Sequence, residues 1–277
     1  MSSPLEALST VLAEPAAGWL EASRRRLSDE GLSILPVLFP ALARRVGREL
    51  LPPDEHRDGT MLVETGAWRR CDAAGLRLIL DGEPDDALLV DLYLHGDMEE
   101  RIIVLRVLGL LPITAGTIQL LGEVQRTNTG VHLEAAVCES NLAVRALEHA
   151  DWTQEDLDRL ILKAAFLDVR LPRLLEVFDH VGPETSRMVQ GLATEREAAG
   201  REPWIDTNRV VARAPVDGSL ERLRRGLSDA REGQRLAAAE GVAHLRDADL
   251  LKLAAARLDH EPSEPIRTIL SAAVTRA

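Results

Sequence analysis

The chain has 277 residues, 45% of them hydrophobic and 28% charged, with a formal net charge of −12. That length suffices for one large domain or two modest ones with a real core. The acid excess repels nucleic-acid phosphates and anionic membranes, so neither is an expected partner.

Cys71 and Cys138 form no CxxC pair and no even framework, which points to reduced thiols in a cytoplasmic protein. The opening MSSPLEALSTVLAEP has an acid at Glu6 and no basic start, so it does not read as a signal peptide. The longest charge-free stretch, Val107 to Gly122, holds Pro112, Thr114 and Gln119. It is shorter than the roughly 20 apolar residues of a bilayer span, and no membrane insertion is expected.

Strand signals are nearly absent and helical spacing runs almost throughout. Leu5, Leu8 and Leu12 begin it, and Trp19, Ala22 and Leu27 follow. The apolar stretch Leu32 to Leu51 carries Pro36 and Pro40, which predict a break or kink. Pro52 to Gly59 reads as a loop. Helices are then predicted at 72–81, 85–95 and 97–110, each opening on an aspartate as N-cap. Further helices are predicted at 113–125, 127–139 and 153–168, the last with a capping-box-like Thr153 and Asp156. Another runs over 183–199 and stops at Gly200 as C′ residue. The tail Ser219 to Thr275 is the most regular part and resembles HEAT-type helix pairs, which must stack on neighbours to bury their apolar faces. The expectation is an all-α protein of stacked antiparallel helix pairs, a HEAT-like α-solenoid. Its segments are 1–58 (N-terminal helices), 59–215 (helical core) and 216–277 (HEAT-like helices).

No P-loop, GxGxxG, GxSxG or HExxH is present. His132 and Glu134 are two apart and so lie on different helix faces; no metal site and no cofactor is expected. Asp85-Asp86 with Asp91 could suggest the magnesium-binding aspartates of a helical terpene cyclase. No second metal motif accompanies them, and only eight aromatic residues exist to stabilise a carbocation. An N-cap pair on a solvated face is the favoured reading.

Three ionisable residues stand inside apolar runs: Arg106 in IIVLRVLGLLP, Glu134 in VHLEAAVC and Lys163 in LILKAAFL. An isolated buried charge is costly, so such groups pair, hydrogen-bond or change protonation state. Read as a helix, 127–142 gathers Thr127, Val131, Glu134, Cys138 and Asn141 on one face. Two arrangements follow. Glu134 is locked to Lys163 or Arg106 in the core, or these groups line a polar pocket between helices. Lys163 and Lys252 are the only lysines in an arginine-rich chain, which favours a role for Lys163 beyond charge alone.

RTNTGVHLEAAVCESN, DWTQEDLDRLILKAAFLDVRLPRLLEVFD and RMVQGLATEREAAGREPW resemble the EboA family. The order and spacing of Trp68-Arg69, Thr127-Asn128, Glu134, Asn141, Trp152, Leu162-Lys163-Ala164, Phe166, Glu195-Arg196 and Ala199-Gly200-Arg201 carry the resemblance, over about Trp68 to Trp204. Leu-Ala-Val after Asn141, where the family has a proline-rich segment, and Glu197, where it often has tryptophan, mark a divergent member. The resemblance implies a bacterial protein of a secondary-metabolite gene cluster that handles a metabolite or precursor, with other proteins of the cluster as further partners. The candidate ligand set is Arg106, Asn128, Glu134, Cys138, Asn141 and Lys163. If the protein is instead an enzyme, a cyclase, isomerase or lyase, Glu134 is the acid/base and Lys163 or Arg106 holds an anionic group. A helical-repeat interaction scaffold is the remaining alternative.

Overall fold

The computed structural model describes residues 16–275, so the Leu5, Leu8 and Leu12 stripe lies outside the described residues. Regular structure there is helical apart from one small hairpin, and the fold class is all-α. No described helix is long and apolar enough to cross a membrane. The chain divides into two compact units. One comprises Met1–Thr153 with Arg173–Glu176, the other Gln154–Pro172 with Val177–Ala277. The segment boundaries expected at 58/59 and 215/216 fall inside these units.

The first unit opens with α1 (Ala16–Glu30), which buries Ala16, Leu20, Ser23 and Leu27 along one stripe. Pro36 and Pro40 then break the apolar run as expected. Four short turns result, Leu32–Ile34, Leu35–Leu38, Phe39–Ala41 and Leu42–Val46. Each proline sits in the first turn of its piece, where a missing N–H costs nothing. The predicted loop at 52–59 is in fact half of a hairpin, β1 (Glu55–Asp58) paired antiparallel with β2 (Met61–Glu64). Gly59, with φ of 57°, takes the first central position of its two-residue turn.

Helices α2 (Arg70–Gly82), α3 (Asp86–His95), α4 (Met98–Leu108), α5 (Ala115–Arg126) and α6 (Gly130–Val137) complete this unit's main body. Every residue of α4 from Ile102 to Leu108 is buried, and α4 packs against α2, α3 and α6. At Gly75 a Cβ would collide with Ile103, so glycine sets the close approach of α2 and α4. Asp85 caps α3 by accepting from Leu88 N (2.9 Å), and Asp97 caps α4 by accepting from Glu99 N (2.8 Å) and Glu100 N (3.0 Å). Asp86 accepts from the Thr114 hydroxyl (2.7 Å) and Gly116 N (2.9 Å) at the start of α5. The acidic pair thus serves two helix N-termini. Asp72 departs from expectation: it is the third residue of α2, not its cap.

The second unit holds α7 (Gln154–Phe166), α8 (Pro183–Ala198), α9 (Thr207–Arg213), α10 (Ser219–Leu227), α11 (Glu232–Leu245), α12 (Ala248–Leu258) and α13 (Glu264–Thr275). Helices α9, α11 and α13 pack in one row. Helix α10 lies against α9, α11 and α12, and α12 against α13. Leu223, Val242, Leu250, Ile266 and Leu270 fill the core between them. Buried Glu261 ties the end of this row, receiving Arg235 at 2.9 and 3.1 Å and Arg257 at 3.0 Å.

Candidate functional site

Arg106 and Glu134, the two charges of the apolar runs that lie in the first unit, have different partners. Arg106 is 8% exposed and lies between two carboxylates. Its Nε donates to Glu139 Oε2 (2.6 Å), Nη2 to Glu139 Oε1 (3.0 Å) and Nη1 to Asp72 Oδ2 (2.5 Å). Arg69 closes the cluster, donating to Asp72 (3.0 Å) and to Glu99. Burial holds the Glu139 carboxyl above the ordinary carboxylate range, against the pull of Arg106. Arg106 is itself desolvated, yet the two carboxylates keep it protonated. This is a satisfied ionic cluster in the core of the first unit, built on two acids that the sequence did not single out.

Glu134 is half-buried and forms a two-point pair with Arg173, at 3.0 and 3.1 Å. Arg106 is not the cation it engages, so the expected lock of Glu134 on Arg106 is corrected. The expected face of 127–142 is also broken. Helix α6 spans only Gly130–Val137, Val131 is 47% exposed, and Asn128 is exposed in the turn before the helix. Cys138 ends α6, buried, and its burial pushes the thiol up to about 12, so it is not a thiolate at neutral pH. Asn141 is 2% exposed and fully engaged. Its Oδ1 accepts from Leu62 N (3.0 Å), and its Nδ2 donates to Thr60 O (2.7 Å) and Glu176 Oε2 (2.6 Å). It fastens the hairpin and the 173–176 segment. No three His, Cys, Asp or Glu side chains gather as a metal requires among the described residues.

The second unit holds a cleft of about 680 Å³ lined by Phe166, Asp168, Arg196, Arg201, Ile205 and Arg231, among others. Its walls follow from two local features. Helix α8 ends in a Schellman motif, with Gly200 at φ 67°, Arg201 N donating to Arg196 O (2.8 Å) and Gly200 N to Glu197 O (3.0 Å). Arg196 and Arg201 therefore stand at the negative end of a helix dipole. Arg196 is 9% exposed and braces the turn after α7, donating to Asp168 Oδ1 (2.6 Å) and Phe166 O (2.9 Å). That brace holds Asp168 in left-handed backbone (φ 57°) and leaves the Phe166 ring 54% exposed. The Lys163 ammonium stands 5.4 Å from the centre of that ring. Arg231 is paired with Asp229 (2.7 Å) and Glu202 (3.3 Å). The exposed Arg201 guanidinium has no acidic partner among the described residues.

A family model described as metabolite traffic protein EboA matches residues 5–211. The chain belongs to the EboA family. No curated protein and no solved structure matches the chain. The match runs into α9, so this EboA protein's cleft is walled by residues inside the match (Phe166, Arg196, Arg201) and beyond it (Arg231, Gln234). Of the residues that carried the family resemblance, Phe166, Arg196 and Arg201 share the cleft, whereas Glu134 and Asn141 hold structure together in the first unit. Arg231 was missed because an arginine in a polar turn has no sequence signature of its own.

Proposed function

We propose that this EboA-family chain handles a small anionic metabolite, bound in the cleft of its second unit. The observation that supports the reading is the arrangement of Phe166, Arg196 and Arg201 around one cleft. Each does different work there. Arg201 offers an unpaired guanidinium for a carboxylate or phosphate. The Phe166 ring and Ile205 offer apolar surface to the rest of the molecule, and buried Arg196 fixes the turn that presents Phe166. The setting is a bacterial secondary-metabolite pathway, with the chain working in the cytoplasm beside other proteins of its gene cluster.

Native mass spectrometry of the full chain, incubated with extract of the producing strain, tests the proposal. A retained small molecule with an acidic group is expected. Arg201→Ala should abolish retention with the fold intact, because an exposed, unpaired arginine contributes little to stability. Retention unchanged by Arg201→Ala and by Phe166→Ala would overturn the reading.

A further inference from the structure

A smaller cavity of about 230 Å³ lies in the same unit, bounded by the end of α8, by α9 and α10, and by the start of α11. Asn208 lines it, is 3% exposed, and its Oδ1 is buried without a hydrogen-bond partner. A buried amide oxygen left unpaired is a standing cost, and each such group calls for an explanation. Its place in the wall depends on Gly226. A Cβ there would come within 2.5 Å of Asn208 Nδ2 and 2.8 Å of Ala238 Cβ.

The charges around the cavity form two poles. Arg222 and Arg225 share the single carboxylate of Glu197, at 3.0 and 3.6 Å, so that side has a surplus of positive charge. Asp229 shares its arginine, Arg231, with Glu202, so that side has a surplus of negative charge. A simple anion would satisfy the arginines and leave the Asn208 oxygen without a donor, with Asp229 held by Arg231 alone among side chains. A simple cation would do the reverse. The volume is several times the ~30 Å³ share of one water, yet excludes a large ligand.

We propose that this cavity binds a small zwitterion, a free α-amino acid, with its carboxylate on Arg225 and Arg222 and its ammonium donating to Asp229 and to the Asn208 carboxamide. The site adjoins the anion-binding cleft and shares Pro203 and Gln234 with it, but Asn208 and Arg225 line no part of that cleft.

Isothermal titration of the full chain with the proteinogenic L-amino acids, one at a time, tests it. At least one should bind. Its N-acetyl derivative and its methyl ester should each bind at least about tenfold more weakly, since each removes one pole's partner. Asn208→Leu should abolish binding. Should that core change unfold the chain, the half-exposed Arg225→Ala provides the same test on a standing fold. Arg201→Ala should leave amino-acid binding unchanged while removing metabolite retention in the larger cleft, which separates the two proposals. No binding by any amino acid, leaving only water to satisfy Asn208, would overturn the inference. Binding that survives both Asn208→Leu and Arg225→Ala would do the same.

Discussion

Arg106 and Glu134 show how differently two charges in apolar runs can be used. Arg106 is buried with both neighbours, Asp72 and Glu139, equally desolvated. Replacing it with methionine strands the Glu139 carboxylate and takes one of two arginines from Asp72, and urea unfolding of Arg106→Met should show a loss of about 3–5 kcal/mol. The double change Arg106→Met with Glu139→Leu should recover much of that loss, because Asp72 keeps Arg69. Glu134→Gln should cost about 1 kcal/mol or less, since its pair with Arg173 is 32% and 45% exposed and screened by water. A loss of several kcal/mol in Glu134→Gln would contradict the geometry. In the sequence Glu134 stood out because apolar residues surround it. Glu139 did not, because Ser140 and Asn141 follow it, and Asp72 looked like a cap. Local contrast is visible in a sequence, whereas burial depends on which distant residues arrive.

Helices were legible because their periodicity and caps are local. Asp85, Asp97 and Gly200 each act where expected. Asp97→Ala should lower stability by about 1 kcal/mol in thermal unfolding, since it leaves the Glu99 and Glu100 amides uncapped. The hairpin was not legible. Its strands, EHRD and MLVE, are four residues each and show no alternation of polar and apolar. Tertiary hydrogen bonds hold it, above all those of Asn141. Asn141→Ala should therefore speed hydrogen exchange at the Leu62 amide while leaving α4 protected. Equal acceleration in both would mean that the hairpin opens only with the whole unit.

At the scale of the molecule, residues 173–176 belong with the first unit while both flanking stretches belong with the second, an arrangement with no local signal in the chain. That return rests on Glu134–Arg173 and Asn141–Glu176, pairs far apart in the chain. The two units also differ in how they hold their acids, and this gives a pH prediction. In the second unit, hydrogen bonds from Arg231 hold Asp229 below the usual aspartate range. Burial alone would push Glu261 up, but Arg235, the Ser263 amide and Arg257 outweigh it and hold it low. A carboxyl whose folded pKa is depressed stabilises the fold above its unfolded pKa, and that stability is lost as pH falls through the folded value. The second unit should therefore weaken from about pH 5 downward. Urea unfolding followed at Trp204, the indole of that unit buried against the Val169 carbonyl, should show a midpoint that drops with acid. In Asp229→Asn with Glu261→Gln the midpoint should begin lower, because ionic partners are lost. It should then change less with pH, because the two groups that release stability are gone. If the double variant fell with acid as steeply as the parent, other carboxylates would set the acid response of this unit.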